Sequence, residues 1–193
     1  MSLQRISISI SLADAGVDPE HFVPVFHDWI RRGAVEGVLV DVARYAHVHR
    51  GPGVLLIGHE GDYSVDLSAG RPALRYTLKR DADDSPRELA ARALRRLLAA
   101  AAEAAEALGV EPAGARLTVE VRDRLRAPNT PETLATLGPE LAAGLADVLD
   151  GEVVLDAAPL DADPRAPFAV GATVSAAALA RAALCRPGAA AAA

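Results

Sequence analysis

The sequence predicts an α/β protein, α+β by a strict definition: one mixed β-sheet with two or three long helices on one face and a central antiparallel meander. Three observations carry that expectation. Ile6-Ser-Ile-Ser-Ile-Ser-Leu12 alternates apolar and polar residues at period two, the pattern of a strand with one wet face. Ser85-Pro86-Arg87-Glu88 opens a long segment with an apolar stripe that stops at Gly109: a capping box, a proline at the first helical position and a glycine stop. Between these two segments, short apolar runs are separated by the turn signals Glu60-Gly61 and Ala69-Gly70.

In chain order, Ile6, Ile8, Ile10 and Leu12 share one face of the first strand, with three serines on the other. Residues 19–33, PEHFVPVFHDWIRRG, read as a helix whose stripe is Phe22, Phe26, Trp29 and Ile30. Pro24 lies close enough to its start to be tolerated, and Gly33 ends it. His27 borders the stripe and is expected to be partly buried. Val38 to Val42 is a nearly continuous apolar strand. Strand, helix, strand in that order predicts a βαβ unit with a right-handed crossover. The meander follows as Gly53–Gly58, Tyr63–Leu67 and Ala73–Lys79.

The helix opened by Ser85 packs through Ala90, Leu94, Leu97, Ala101, Ala104 and Leu108. Its Arg87, Arg92, Arg95 and Arg96, balanced by Glu103 and Glu106, read as a solvated face. Leu117–Val121 is an alternating strand. A helix starts at Thr130-Pro131-Glu132, is interrupted at Gly138-Pro139 and resumes to about Leu149. Val153–Leu155 is a short strand, so the order of Ile6–Val42 recurs over Leu117–Leu155. Asp161–Pro167 is a long loop, Phe168–Val174 a last strand, and Ser175 caps an alanine-rich helix to Leu184. Residues 1–174 form one domain, and 175–193 add that helix and a low-complexity tail expected to be frayed.

Composition narrows the function. The chain has 193 residues, 51% hydrophobic but only 4% aromatic, so valine, leucine and alanine must fill the core. Lys79 is the only lysine among 20 basic residues, and arginine and alanine rise together as in a chain of biased genome composition. The formal charge of −6 argues against nucleic-acid binding, which favours a basic excess or stripe. Cys185 is the only cysteine, which rules out an internal disulfide and a thiolate-rich zinc site. No secretory leader or membrane span is legible, and a bacterial cytoplasm is the simplest location.

Chemistry concentrates in AHVHRGPGVLLIGHEGDY, residues 46–63. His47 and His49 would project to one side of an extended segment. His59, Glu60 or Asp62 would have to complete a metal site from the far end of a strand spanning roughly 20 Å at about 3.3 Å per residue. No metal site is therefore expected. A His-x-His cupin signature fails as well, since no histidine follows His59. The catalytic candidates are Asp41, His49, His59 and Glu60. Asp41, in an otherwise apolar strand, should find a partner such as Arg44, His47 or His49 and orient an imidazole for general base work. The ligand-binding candidates are Tyr45, Arg50, Gly51, Gly53 and Asp62. Gly51 and Gly53 would present N–H groups to an anion with Arg50 as counter-charge. The simpler reading makes all of these turn and surface residues.

The stretches VPVFHDWI (23–30), LVDVARYAHV (39–48), GPGVLLIGHEGDYSVD (51–66) and DRLRAPNTPET (123–133) together resemble a family of uncharacterised bacterial proteins, over about residues 5–155. The resemblance implies a single domain and carries no catalytic assignment or cofactor. Val54–Ile57 and Val38–Val40 are apolar on both sides, so a sheet with helices on one face would expose an apolar stripe in the middle of its polar face. Either the C-terminal helix or a second copy should cover it, and a homodimer is the expectation. The function expected is a non-enzymatic binding or assembly module without a cofactor. The alternative is a small hydrolase-like or isomerase-like enzyme using residues 41–62.

Overall fold

The structure, a computed structural model, describes residues 5–14, 16–45, 48, 51–67, 71–79 and 84–184. The elements run β1 (Ile6–Leu12), α1 (Phe22–Arg32), β2 (Leu39–Tyr45), β3 (Gly53–Gly58), β4 (Gly61–Asp66), β5 (Ala73–Leu78), α2 (Pro86–Leu108), β6 (Pro112–Val121), α3 (Pro131–Leu149), β7 (Val153–Leu155), β8 (Phe168–Val174) and α4 (Ala176–Leu184). The low-complexity tail expected to be frayed lies outside the described residues.

The strands form one sheet in the order β2-β3-β4-β5-β1-β6-β8-β7, and every neighbouring pair is antiparallel. The α+β class and the central meander hold, but the sheet is not mixed. β1 and β2 run the same way with β3, β4 and β5 between them, and β6 and β7 enclose β8. Both expected βαβ units are therefore split units. Local pattern fixes each element and its place in the chain. It does not say which later strand will insert between two co-directional ones.

Period-two alternation decides the two faces. Ile8 lies opposite Tyr76 and Val119, which in turn lie opposite Tyr63 and Val170. All five are buried under the helices. Full burial of one such aliphatic side chain contributes about 1.5–3 kcal/mol. α1 is entered through a single 3-10 turn at Pro19–His21, where Asp18 accepts the Glu20 N–H, and it ends at Gly33 with φ +61°. Phe22, Phe26 and Trp29 are fully buried, as the stripe predicted. They start an aromatic chain through Tyr63 to Tyr76, with successive ring centroids 5.7, 5.1, 6.1 and 4.8 Å apart. His27 faces solvent instead of packing, on the side of the helix away from that stripe.

α2 has the predicted capping box, Ser85 accepting the Glu88 N–H and Glu88 accepting the Ser85 N–H. Its basic face is not simply solvated. The sheet lies beneath the helix and α3 and α4 pack along it, so Arg96 and Glu103 are buried and ion-paired. α3 passes through Pro139 without interruption. Gly138 before it has no Cβ and so lacks one of the clashes a proline imposes on its predecessor. Gly144 lets α3 approach α2 so closely that a Cβ there would overlap the carbonyl oxygen of Arg87. α4 buries Ala178 and Leu179 on the helical side against α2 and α3, so it does not cover the other face. No helix among the described residues is long and apolar enough to cross a membrane.

Candidate functional site

The face opposite the helices is open and polar. Its residues come from the alternate positions of the same strands. Ser64, Arg75, Ser9, Thr118 and Gly171 form one row from β4 to β8, and Asp62, Thr77, Ser7, Glu120 and Ala169 form the next. A trough of about 630 Å³ crosses this face, with Ser64 and Thr77 on its floor. Gly51 and Pro52 stand at one end and Asp161 and Pro167 at the other.

Both ends are tied down. Gly51 donates its N–H to the Val48 carbonyl at 2.8 Å. A Cβ on Gly51 would sit 2.8 Å from that of Val48, so only glycine fits. At the other end, buried Asn129 donates from Nδ2 to the carbonyls of Asp161 and Asp163 at 2.8 and 2.9 Å. Arg124 donates to the Arg165 carbonyl at 2.8 Å. The loop is therefore held by side chains from the segment between β6 and α3.

Charges converge in the trough. Arg75 Nη1 donates to Glu120 Oε2 at 2.9 Å, and Arg122 Nε to Oε1 of the same carboxylate at 2.6 Å. The Arg75 and Glu120 side chains are only 14% and 16% exposed. Lys79 Nζ lies 2.6 Å from Asp62 Oδ1 and donates to the Gly58 carbonyl at 3.1 Å. Arg5 also lines the trough, next to Arg122, whose backbone N–H it accepts at 3.0 Å.

Of the described candidates from the sequence, Gly51 and Asp62 line this trough and the others do not. Asp41 is exposed on the edge strand β2, where its carboxylate accepts the Val42 N–H at 2.8 Å. At an edge the carboxylate stays in water, without the burial that would make a partner costly to lack. Tyr45 is partly exposed at the end of β2, and Gly53 takes φ +64° at the irregular start of β3. With its N–H committed to Val48, Gly51 has none to offer an anion. His59 and Glu60 form the exposed turn between β3 and β4. His47, His49 and Arg50 lie outside the described residues. Among the described residues, no three or more His, Cys, Asp or Glu side chains gather to hold a metal ion.

Glu60 belongs to a second cluster, on the helical side. Arg96 Nη2 lies 3.2 Å from Glu60 and 2.9 Å from Glu36, while Tyr63 donates to the Glu36 carbonyl at 3.3 Å. Burial raises the Tyr63 phenol well above its ordinary range, with Tyr76 adding to the effect. It pushes Tyr76 up to about 12, with nearby Arg96 opposing. Both phenols are neutral at neutral pH, and their rings serve as packing.

Sequence reasoning did not single out Arg75, Lys79, Glu120 and Arg122. The available signal was alternation: with β1, β5 and β6 adjacent, same-parity charges on β5 and β6 must meet across the serines of β1. Asn129 gave no such signal. No protein-family model matches the chain, and no curated protein or solved structure does either. The site stands on its own geometry.

Proposed function

We propose that the protein is a non-enzymatic binding and assembly module acting as a homodimer, with two copies joined antiparallel through β2. The observation that carries this reading is the contrast between the sheet's two edges. β7 is three residues long, the kind of short edge that resists further pairing. β2 is seven residues long, and Val38 and Val40 on and before it are 65% and 63% exposed. β2 contains neither proline nor lysine, the usual blocks on an edge. A second copy is the fitting occupant because a strand of equal length, antiparallel about a two-fold axis, satisfies the same backbone groups on both sides. One aspartate and one arginine, Asp41 and Arg44, leave β2 without net charge, so two copies do not repel.

The apolar stripe expected in the middle of the polar face belongs to β2 and β3, at one end of the sheet. Joining is accordingly edge to edge, and the trough stays open. Binding is favoured over catalysis because the trough's charges are ion pairs rather than a nucleophile with its base. We infer a cytoplasmic setting in a bacterium from the composition and the single cysteine.

Sedimentation equilibrium of the full chain tests the assembly. The expected result is twice the chain mass at micromolar concentration, reverting to a single chain in Val40→Lys with its circular dichroism unchanged. A single-chain mass at every concentration, or a dimer indifferent to Val40→Lys, overturns it.

A further inference from the structure

The trough's charge balance is opposite to that of the molecule. It is lined by four cations, Arg5, Arg75, Lys79 and Arg122, against three carboxylates, Asp62, Glu120 and Asp161, in a chain whose net charge is −6. Partly buried ion pairs contribute little net stability compared with apolar packing of the same volume, so stability alone does not account for this concentration. A second observation is independent of the count. Ile6 lies opposite Val121, and the Arg122 N–H bonds to the Arg5 carbonyl, so Arg5 and Arg122 are directly opposed across β1 and β6. Both lie on the open face, and like charges in that position destabilise a sheet. Arg122 uses Nε on Glu120, and its two Nη groups make no hydrogen bond among the described residues. Arg5 makes no ion pair among them either.

We propose that this trough binds a small organic oxyanion, a carboxylate or a phosphate monoester. Its anionic head sits between Arg5 and Arg122, and its hydroxyl-bearing body lies along Thr77, in the next row. The anion relieves the opposed charges and occupies guanidinium donors that no described residue takes up, which suit a carboxylate or phosphate oxygen pair. Glu120 orients Arg122 by fixing Nε and so turns the Nη edge toward the ligand. The walls are already tied down by Asn129 and by Gly51, so ordering the site adds little cost to binding. The inference names the ligand for the binding half of the proposed function. It does not depend on dimerisation: a monomer that binds oxyanions would overturn only the assembly, and a dimer that ignores them only this site.

The test is a ¹H–¹⁵N titration of the full chain at low ionic strength with glycerol 3-phosphate, glycerate and glycerol in parallel. Saturable shifts at Thr77, Glu120 and the Arg122 Nε–H are expected with one or both anions and none with glycerol. The stronger of the two identifies a phosphate or a carboxylate ligand. Replacing Arg5 and Arg122 together by glutamine should weaken binding at least about tenfold, each site losing a charge-assisted contact. Both residues are exposed, so the fold should persist. Glu120→Gln keeps an oxygen to hold Arg122 Nε while removing a negative charge that competes with the ligand, so it should strengthen binding, whereas Glu120→Ala, which also loses the orienting contact, should not. Shifts that fail to saturate, that spread over the whole surface, or that survive in the double variant overturn the proposal.

Discussion

The two faces of the sheet are made from the same strands, yet they obey different rules. On the helical face, Ile8, Tyr76, Val119 and Val170 are excluded from water and their identity is set by volume. On the open face, one residue along, Ser9, Arg75 and Thr118 are neighbours whose identity is set by charge and hydrogen bonding. A single residue step separates a position that specifies the fold from one free to serve a ligand.

The largest break in that comparison should come from Ile8→Ala set against Ser9→Ala. Urea unfolding should register a loss of about 2–5 kcal/mol at the buried position and a change within about 0.5 kcal/mol at its neighbour. Equal losses would mean that the open face is also covered. Alkaline pH should act next, through the helical face. The Tyr76 phenol is held up to about 12 against an ordinary 10.0, chiefly by burial. The folded chain therefore keeps a proton that the unfolded chain releases. The resulting stability is complete below pH 10 and is lost as pH rises toward 12, by at most about 1.4 kcal/mol per pH unit. Absorbance near 295 nm should show the buried phenolates appearing together with unfolding rather than before it. Glu120→Ala sharpens the other side. It removes a charged partner of the partly buried Arg75 and should cost about 1–3 kcal/mol in the same urea assay. A loss as large as that of Ile8→Ala would make Glu120 part of the core rather than of the trough.

Most of the fold was legible because most elements announce themselves locally. β1 alternates, α2 carries its capping box, and α1 carries its aromatic stripe. What was not legible depends on neighbours. The serines of β1 cannot tell that β5 and β6 will flank them. The arginines of α2 cannot tell that Arg96 will be enclosed while Arg95 stays in water. Asp41 read as a buried carboxylate because β2 looked like a central strand, whereas it is the edge. The histidine-rich segment drew attention by composition, but the charges gathered in the trough come from β4, from β5 and β6 and the residues just after them, from Arg5 before β1 and from the loop before β8, far apart in the chain. Same-face parity held the information, and strand order was needed to use it.

The aromatic chain has a practical consequence. Trp29 is the only indole in the protein, fully buried and edge-on to Tyr63 across the seam where α1 meets the sheet. Its fluorescence is therefore a native optical gauge of that seam: blue-shifted and fed by tyrosine excitation while the helix is seated, red-shifted and decoupled once it lifts away. No label or added probe is needed to watch the layer open.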